Sequence, residues 1–371
     1  EIKDYLDLQY IFRRNVLTLE IEVSPIDKNK FTVLDESFLN SIWIDLQMDG
    51  YKCSDTLVMR ILNSKLTDSY NPLKAYFENL PIHDGKDYIK QLADTIQIQD
   101  IQTGDVILKE LWQPYLKKWI VATVATATGK GINHTCLILV GNQGSGKTTW
   151  LNKLCPKEMK QFLVCSHINP SLTDQNTANY LAEKWFVNID DQLETIFGKD
   201  FNSMKAIITA PFVTNRKTWH KLTKTRPRIC SFMGSVNNPK FLTDTENRRY
   251  LVFSAEQINY KHKIDLNKVW SQALQLVDEG FPYWFSHEEL KKLNKINEIY
   301  RQVPAEEEWL MKLYEPCEPT NPQAQFLMPS EILSKLYAWS GLKLSIRKLF
   351  TAMDSLHFHK KVSKRIEGQP R

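Results

Sequence analysis

Gly141-Asn142-Gln143-Gly144-Ser145-Gly146-Lys147-Thr148 satisfies G-x-x-x-x-G-K-[ST], and its flanks constrain the fold more than any other stretch of the chain. The apolar run Cys136-Leu137-Ile138-Leu139-Val140 before it reads as a buried strand, and Thr148 to Leu154 after it reads as the start of a helix. Glycines at both ends let the backbone curl so that successive N–H groups face an anion, and the following helix adds its positive end. The implied site is a cradle for ATP built from Gly141, Asn142, Gln143, Gly144, Ser145, Gly146, Lys147, Thr148 and Thr149. Lys147 is the cation for the β- and γ-phosphates, and Thr148 offers a hydroxyl to Mg²⁺.

A strand, loop and helix of this kind belong to an α/β sheet, and the chain is long enough to surround one. Its 371 residues, 42% hydrophobic and 11% aromatic, can fill several cores and suggest two to three domains. The most membrane-like segment, Trp119 to Ala127, is too short and too rich in Thr and Ala to span a bilayer. Six cysteines (Cys53, Cys136, Cys155, Cys165, Cys230, Cys317) lie far apart with no C-x-x-C pair, which argues against a zinc site or a disulfide framework. With neither an initiator Met nor a charged-then-apolar leader before Glu1, the chain is expected to be a piece of a longer cytoplasmic polypeptide.

Four segments follow from the pattern. Residues 1–104 read as a mostly helical N-terminal domain, with Phe38, Leu39, Ile42, Trp43 and Leu46 at helical spacing and a small hairpin around Ser24-Pro25-Ile26-Asp27. Residues 105–260 hold the core: a helix from about Asp105 to Thr128, then strands at Cys136–Val140, Trp185–Ile189, Ile207–Thr209, Ile229–Gly234 and Tyr250–Phe253. Strands alternating with helices imply a mostly parallel sheet with the loop at the carboxyl end of its first strand. Residues 261–314 read as a helical extension, and 315–371 as a small basic domain after a Pro-rich linker.

Three later stretches complete the chemistry. Asp190 and Asp191 close an apolar strand 43 positions after Lys147, where a first acid would hold Mg²⁺ with Thr148 and a second would activate water. Asn237, with Asn238 as its neighbouring alternative, tips the strand at Ile229–Val236 and is suited to the attacking water or the γ-phosphate. Arg248 and Arg249 open the last strand, and arginine is the side chain that clamps a transferring phosphoryl group.

The order of these elements resembles that of superfamily 3 helicases. More narrowly, Gly234-Ser235-Val236-Asn237, then Phe241-Leu242-Thr243-Asp244 and Asn247-Arg248-Arg249, resembles the virulence-associated E family. The resemblance implies a P-loop AAA+-like core, a homo-hexameric ring, an arginine supplied in trans, and replication of a phage, plasmid or integrated mobile element, with a primase as a natural partner. Where relatives often carry glutamate as the second acid, this chain has Asp191, so Asp191 and Glu194 both stand as candidate bases.

Between the acidic and asparagine strands, Thr214 to Arg228 holds six Lys or Arg residues, no acid and one Trp. Basic side chains around an aromatic suit single-stranded nucleic acid. By the resemblance this is a hairpin lining a central channel, with Lys217, Trp219, His220 and Lys221 against DNA. The tail from Ser330 to Arg371 has nine Lys or Arg against three acids and reads as a winged-helix-like module of two helices and a strand pair, with Arg347, Lys348, Lys360, Lys361 and Lys364 available to phosphates. The leading reading is an ATP-driven DNA translocase or helicase. The alternatives are an ATP-dependent loader or remodeller that does not unwind, and a nucleotide-gated signalling or scaffold ATPase.

Overall fold

The computed structural model describes residues 1–28, 30–196, 199–216, 222–243 and 247–359, with the backbone of 365–366 and 369–370. The chain falls into two compact units: residues 1–237 with 249–287, and residues 238–248 with 288–371.

The first unit opens with helix α1 (Ile2–Gln9) and strands β1 (Tyr10–Asn15), β2 (Ile21–Pro25) and β3 (Thr32–Val33), followed by α2 (Glu36–Met48), α3 (Asp55–Leu62) and β4 (Asp68–Tyr70). The strands form a sheet in the order β3-β2-β1-β4, so this region is less helical than its sequence suggests. The expected hairpin is there, as β2 paired antiparallel with β3. Strand β1 escapes notice because Arg13 and Arg14 interrupt its apolar text. Arg13 is accommodated by an ion pair with Glu22 at 2.6 Å and by the rings of Phe31 and Tyr70, 3.7 and 3.6 Å from its guanidinium carbon. Behind the sheet, Leu6, Phe12, Val23, Ile42, Leu46, Val58 and Leu62 make a common core. Asp35 and Ser54 cap α2 and α3 by accepting backbone N–H groups.

Next come α4 (Pro72–Glu78), α5 (Tyr88–Ala93), β5 (Ile96–Ile98), the short pair β6 (Gln102–Thr103) and β7 (Val106–Ile107), and α6 (Leu108–Ala127). Helix α6 is buried on all sides over its second half, and Thr123 and Thr126 donate to the carbonyls of Trp119 and Ala122 at 2.8 and 2.7 Å. Among the described residues no helix is long and apolar enough to cross a membrane.

The central sheet is assembled from β8 (Cys136–Val140), β9 (Leu163–Cys165), β10 (Phe186–Asn188), β13 (Ser231–Val236) and β14 (Tyr250–Ile258), which bracket α7 (Lys147–Lys153), α8 (Gln175–Glu183), α9 (Lys199–Thr209) and the hairpin β11 (Phe212–Asn215) and β12 (Lys224–Pro227). Its order is β5-β14-β8-β13-β10-β9. All neighbours are parallel except edge strand β5, which runs antiparallel to β14. Helix α10 (Leu266–Asp278) packs on α6 and brings Trp270 against Trp185 and Phe186, with ring centroids 4.8 and 5.7 Å apart.

One expected strand is a helix. Ile207–Thr209 ends α9, because Phe201, Met204, Ile207 and Ile208 recur at helical spacing and are all buried. The β-branched triplet outweighed that longer period in the sequence.

The second unit holds α11 from Glu288 onward (His287–Asn297), α12 (Ala305–Leu313), α13 (Pro329–Ser340), α14 (Ile346–Ser355) and an antiparallel pair, β15 (Arg365–Ile366) with β16 (Gln369–Pro370). Leu310, Ile332, Leu336, Leu349 and Ala352 form its core. Arg301 fastens α12 through Glu307, with Nη1 donating at 2.9 Å. Segment 238–248 joins this unit through a parallel bridge between Leu242 and Arg301.

Trp185 is fully buried and within 5.5 Å, centroid to centroid, of Tyr76, Phe77, Phe186 and Trp270. Trp185→Ala should therefore cost about 3–5 kcal/mol, and Trp185→Phe clearly less, when read from urea unfolding followed by far-UV dichroism. A loss within the roughly 0.5 kcal/mol of a surface substitution would contradict the role given to this cluster.

Candidate functional site

Strand β8 ends at Val140 and the glycine-rich loop begins at once. Gly141 is hemmed in: a Cβ there would sit 3.1 Å from the carbonyl oxygen of Ala255. Gly146 has φ +88°, and a Cβ on it would lie 2.3 Å from a ring atom of Tyr260, so neither position accepts a side chain without a shift. Asn142, Gln143, Gly144 and Thr149 face solvent, while Ser145 Oγ is buried with no hydrogen-bond partner among the described residues.

Lys147 starts α7 and is only 5% exposed. Its ammonium donates to the carbonyls of Gly141 and Asn142 at 2.8 and 2.9 Å and to Asn237 Oδ1 at 3.0 Å. Burial lowers its pKa, and the charges of Asp191, Asp190 and Glu194 oppose that shift.

The parallel pairing of β13 with both β8 and β10 brings three strand ends to this spot. Thr148 Oγ1 lies 2.9 and 3.0 Å from the two carboxylate oxygens of Asp190, and 3.1 Å from Ser235 Oγ. The Ser235 hydroxyl donates to the same carboxylate. Asp191 follows with φ +53°, a left-handed conformation, and its N–H donates to the Ser235 carbonyl at 2.9 Å. Asn237 Nδ2 donates to Asp191 Oδ1 at 3.1 Å, and the Asn237 backbone N–H donates to Glu194. Asn237 thus touches Lys147 with its oxygen and Asp191 with its nitrogen. Burial raises the pKa of Asp191, assisted by Asp190 and Glu194 and opposed by Lys147 and His167.

Lys147, Thr148, Asp190, Asp191 and Asn237 therefore converge. Asn238 is occupied in its own turn, where Oδ1 accepts from the Lys240 N–H at 2.8 Å. Arg249 is not brought in: it precedes Tyr250, which pairs with Cys136, so it lies at the amino edge of the sheet, opposite the loop. Arg248 is exposed and belongs to the second unit. The tips chosen for nucleic acid, Lys217, Trp219, His220 and Lys221, lie outside the described residues, as do Lys360, Lys361 and Lys364. The hairpin itself is present, with Thr214 opposite Thr225 and Asn215 opposite Lys224.

Two of the six basic residues in that stretch are structural. Arg226 is buried and donates to Leu17 O at 2.9 Å, Glu183 at 3.0 Å and Asn179 at 2.9 Å. Arg228, 1% exposed, donates to the carbonyls of Cys230 and Asn133 at 3.1 and 2.7 Å. Sequence reading also gave no role to Ser235, although a hydroxyl two residues before Asn237 on an inward strand was a readable signal. Tyr260 lies too far along the chain from the loop to be suspected.

These are mixed α/β architecture and a polar site at the carboxyl edge of a mostly parallel sheet. The chain belongs to the virulence-associated protein E-like domain family, which matches over residues 78–302. Among solved structures, the apo C-terminal region of NrS-1 aligns with a TM-score of 0.51 at 13% identity, covering 100% of this chain and 96% of that one. An A-form apo structure of the same region gives 0.49 at 14% identity, covering 100% and 97%. The first of these is a likeness of fold. A search of curated proteins found no match.

The segment carrying Tyr260 is tied to α7 through Lys153, which donates to the carbonyls of Tyr260, at 3.3 Å, and His262. Burial, with Lys153 nearby, pushes the pKa of His262 down to about 4. Protonation is thus disfavoured in the folded protein, and the unfolded chain takes up the proton first as pH falls. This contribution to stability is intact above about pH 6.5 and is lost between there and about pH 4. His262→Gln should flatten that limb of the stability curve, read from urea midpoints at pH 7 and pH 5. An unchanged slope would rule out this assignment.

Proposed function

We propose that this chain is an ATP-dependent motor on DNA, a P-loop AAA+-like ATPase of the superfamily 3 type acting in the replication of a mobile element. The observation that carries the reading is the meeting of Lys147, Thr148, Asp190 and Asn237 at one strand edge. Family membership supports it.

The donor set suits the expected cofactors. Thr148 Oγ1, Ser235 Oγ and the Asp190 carboxylate are all oxygen donors, the chemistry Mg²⁺ prefers, with remaining positions left to water and phosphate. Ser145 Oγ, buried and unpartnered, and a loop without side chains at Gly141 and Gly146 fit a phosphate cradle. Bound ATP would supply the phosphoryl group and Mg²⁺ the charge that screens it. Lys147 would exchange its carbonyl contacts for phosphate oxygens. Asp191, aligned by Asn237 and with a raised pKa, is the stronger candidate to take a proton from water, since Glu194 is engaged by the Asn237 backbone.

Arg248 or Arg249 would serve a neighbouring protomer of a homo-hexameric ring, because Arg249 stands at the far edge of its own sheet. The hairpin tip, with Lys217, Trp219, His220 and Lys221, would grip single-stranded DNA in the channel, and the exposed Arg347 and Lys348 of α14 would add contacts from a winged-helix-like module.

Lys147→Ala and Asp190→Asn should each lower DNA-stimulated ATP turnover by about a hundredfold or more, measured as phosphate release. Near-parental turnover in Lys147→Ala would refute the nucleotide site. Asp191→Asn should bind ATP normally yet hydrolyse it slowly, whereas a larger loss in Glu194→Gln would move the base to Glu194.

Replacing Lys217, His220 and Lys221 together with alanine should leave basal turnover unchanged while abolishing stimulation by single-stranded DNA and unwinding. The salt slope of binding should fall by about 0.7 per lost phosphate contact. Parental unwinding by this variant would shift the DNA contact to the C-terminal module. DNA-stimulated turnover without strand displacement in the parent would identify a loader instead.

A further inference from the structure

The glycine-rich loop has an aromatic neighbour to which the ATPase reading assigns no task. Tyr260 stands two residues after β14, half-buried, and its ring occupies the space that a side chain at Gly146 would need. The segment is held on both sides of the ring. Lys153 of α7 donates to the carbonyls of Tyr260, at 3.3 Å, and His262. Just before the ring, the Asn259 N–H donates to the Thr95 carbonyl at 2.8 Å, and Thr95 Oγ1 accepts from Trp150 Nε1 of α7 at 2.7 Å. A tyrosine fixed in this way offers a large, rigid surface at little entropic cost, because few side-chain torsions are left to order.

The chemistry of hydrolysis decides which side of the loop a nucleoside takes. In phosphoryl transfer the attacking and leaving oxygens lie roughly in line, on opposite sides of the γ-phosphorus. Asn237 after β13 and Asp191 after β10 mark the attacking side, and in the order β14-β8-β13-β10 both of those strands lie on one side of β8. The leaving diphosphate and its nucleoside therefore extend toward the other side, where β14 runs. There the Ala255 carbonyl comes up to Gly141 and the Tyr260 ring closes against Gly146. The Lys261 ammonium, 5.7 Å from the centroid of that ring, belongs to an exposed side chain that is free to give way to a base.

Given the nucleotide reading of the loop, on which this rests, we propose that Tyr260 is the residue against which the base of ATP stacks. Stacking uses the π-face that every base carries, so the ring strengthens binding of a nucleoside triphosphate without touching its phosphates. Its contribution is to binding and not to the chemical step. Lys147, Thr148, Asp190 and Asn237 hold one another in place without it.

The test compares ATP with inorganic tripolyphosphate, which has the phosphate chain and no base, by calorimetry with Mg²⁺ present. Tyr260→Ala should weaken ATP about tenfold or more and leave tripolyphosphate at the parental affinity, so that KM for ATP turnover rises while kcat is unchanged. Tyr260→Phe, which keeps the ring, should match the parent. Thermal unfolding establishes that each variant is folded, and Tyr260→Leu, which fills the place of the ring without its π-face, carries the same expectation if Tyr260→Ala is not. Parental ATP affinity in the variants without a ring overturns the proposal. An equal loss for ATP and tripolyphosphate also overturns it, and marks a side chain that only shapes the loop. Lys147→Ala distinguishes these outcomes from failure of the site itself: it should weaken both ligands, and if it binds ATP as the parent does, the nucleotide site falls and the stacking role with it.

Discussion

Strand β13 lies between β8 and β10, parallel to both, and the candidate site depends on that placement. Parallel neighbours end on the same side, so the glycine-rich loop after β8, the acids after β10 and Asn237 after β13 are delivered to one edge. The register does the fine positioning. Val140 pairs with Val236 and Asn188 with Met233, so Ser235 falls beside Asp190, and Asn237 lies within reach of Lys147. A slip of one residue along β13 would turn Ser235 to the other face of the sheet.

The elements that carry the site were legible because each is a short apolar run ending in an abrupt change of chemistry. Cys136–Val140 stops at glycine, Phe186–Ile189 stops at two acids, and Ser231–Val236 stops at two asparagines. The strand order was not legible, since pairing is a property of the assembled chain. Edge strand β5 has only three residues, Ile96-Gln97-Ile98, too few to stand out. In β1, Arg13 and Arg14 break the apolar pattern, while in the fold one guanidinium lies between two rings and the other donates to the carbonyl of Leu62.

The stretch before β13 holds six basic residues, of which Lys217 and Lys221 were singled out for nucleic acid with Trp219 and His220; two of the others, Arg226 and Arg228, are interior groups that bond to carbonyls and to Glu183. Charge density in sequence does not say which charges face out. The hydrogen bonds place Arg226 and Arg228 in the interior, which composition cannot tell. Ser235 illustrates the converse, a small unremarked side chain whose position alone gives it significance.

The anchoring of Arg226 has a mechanical meaning. Its guanidinium ties β12 to Asn179 and Glu183 on α8, and to the turn after β1, so the hairpin is clamped at its root rather than hung from loose connections. Helix α8 runs through Lys184 and Trp185 directly into β10, the strand that leads to Asp190. One guanidinium and one helix thus join the root of the hairpin to the strand that leads to Asp190.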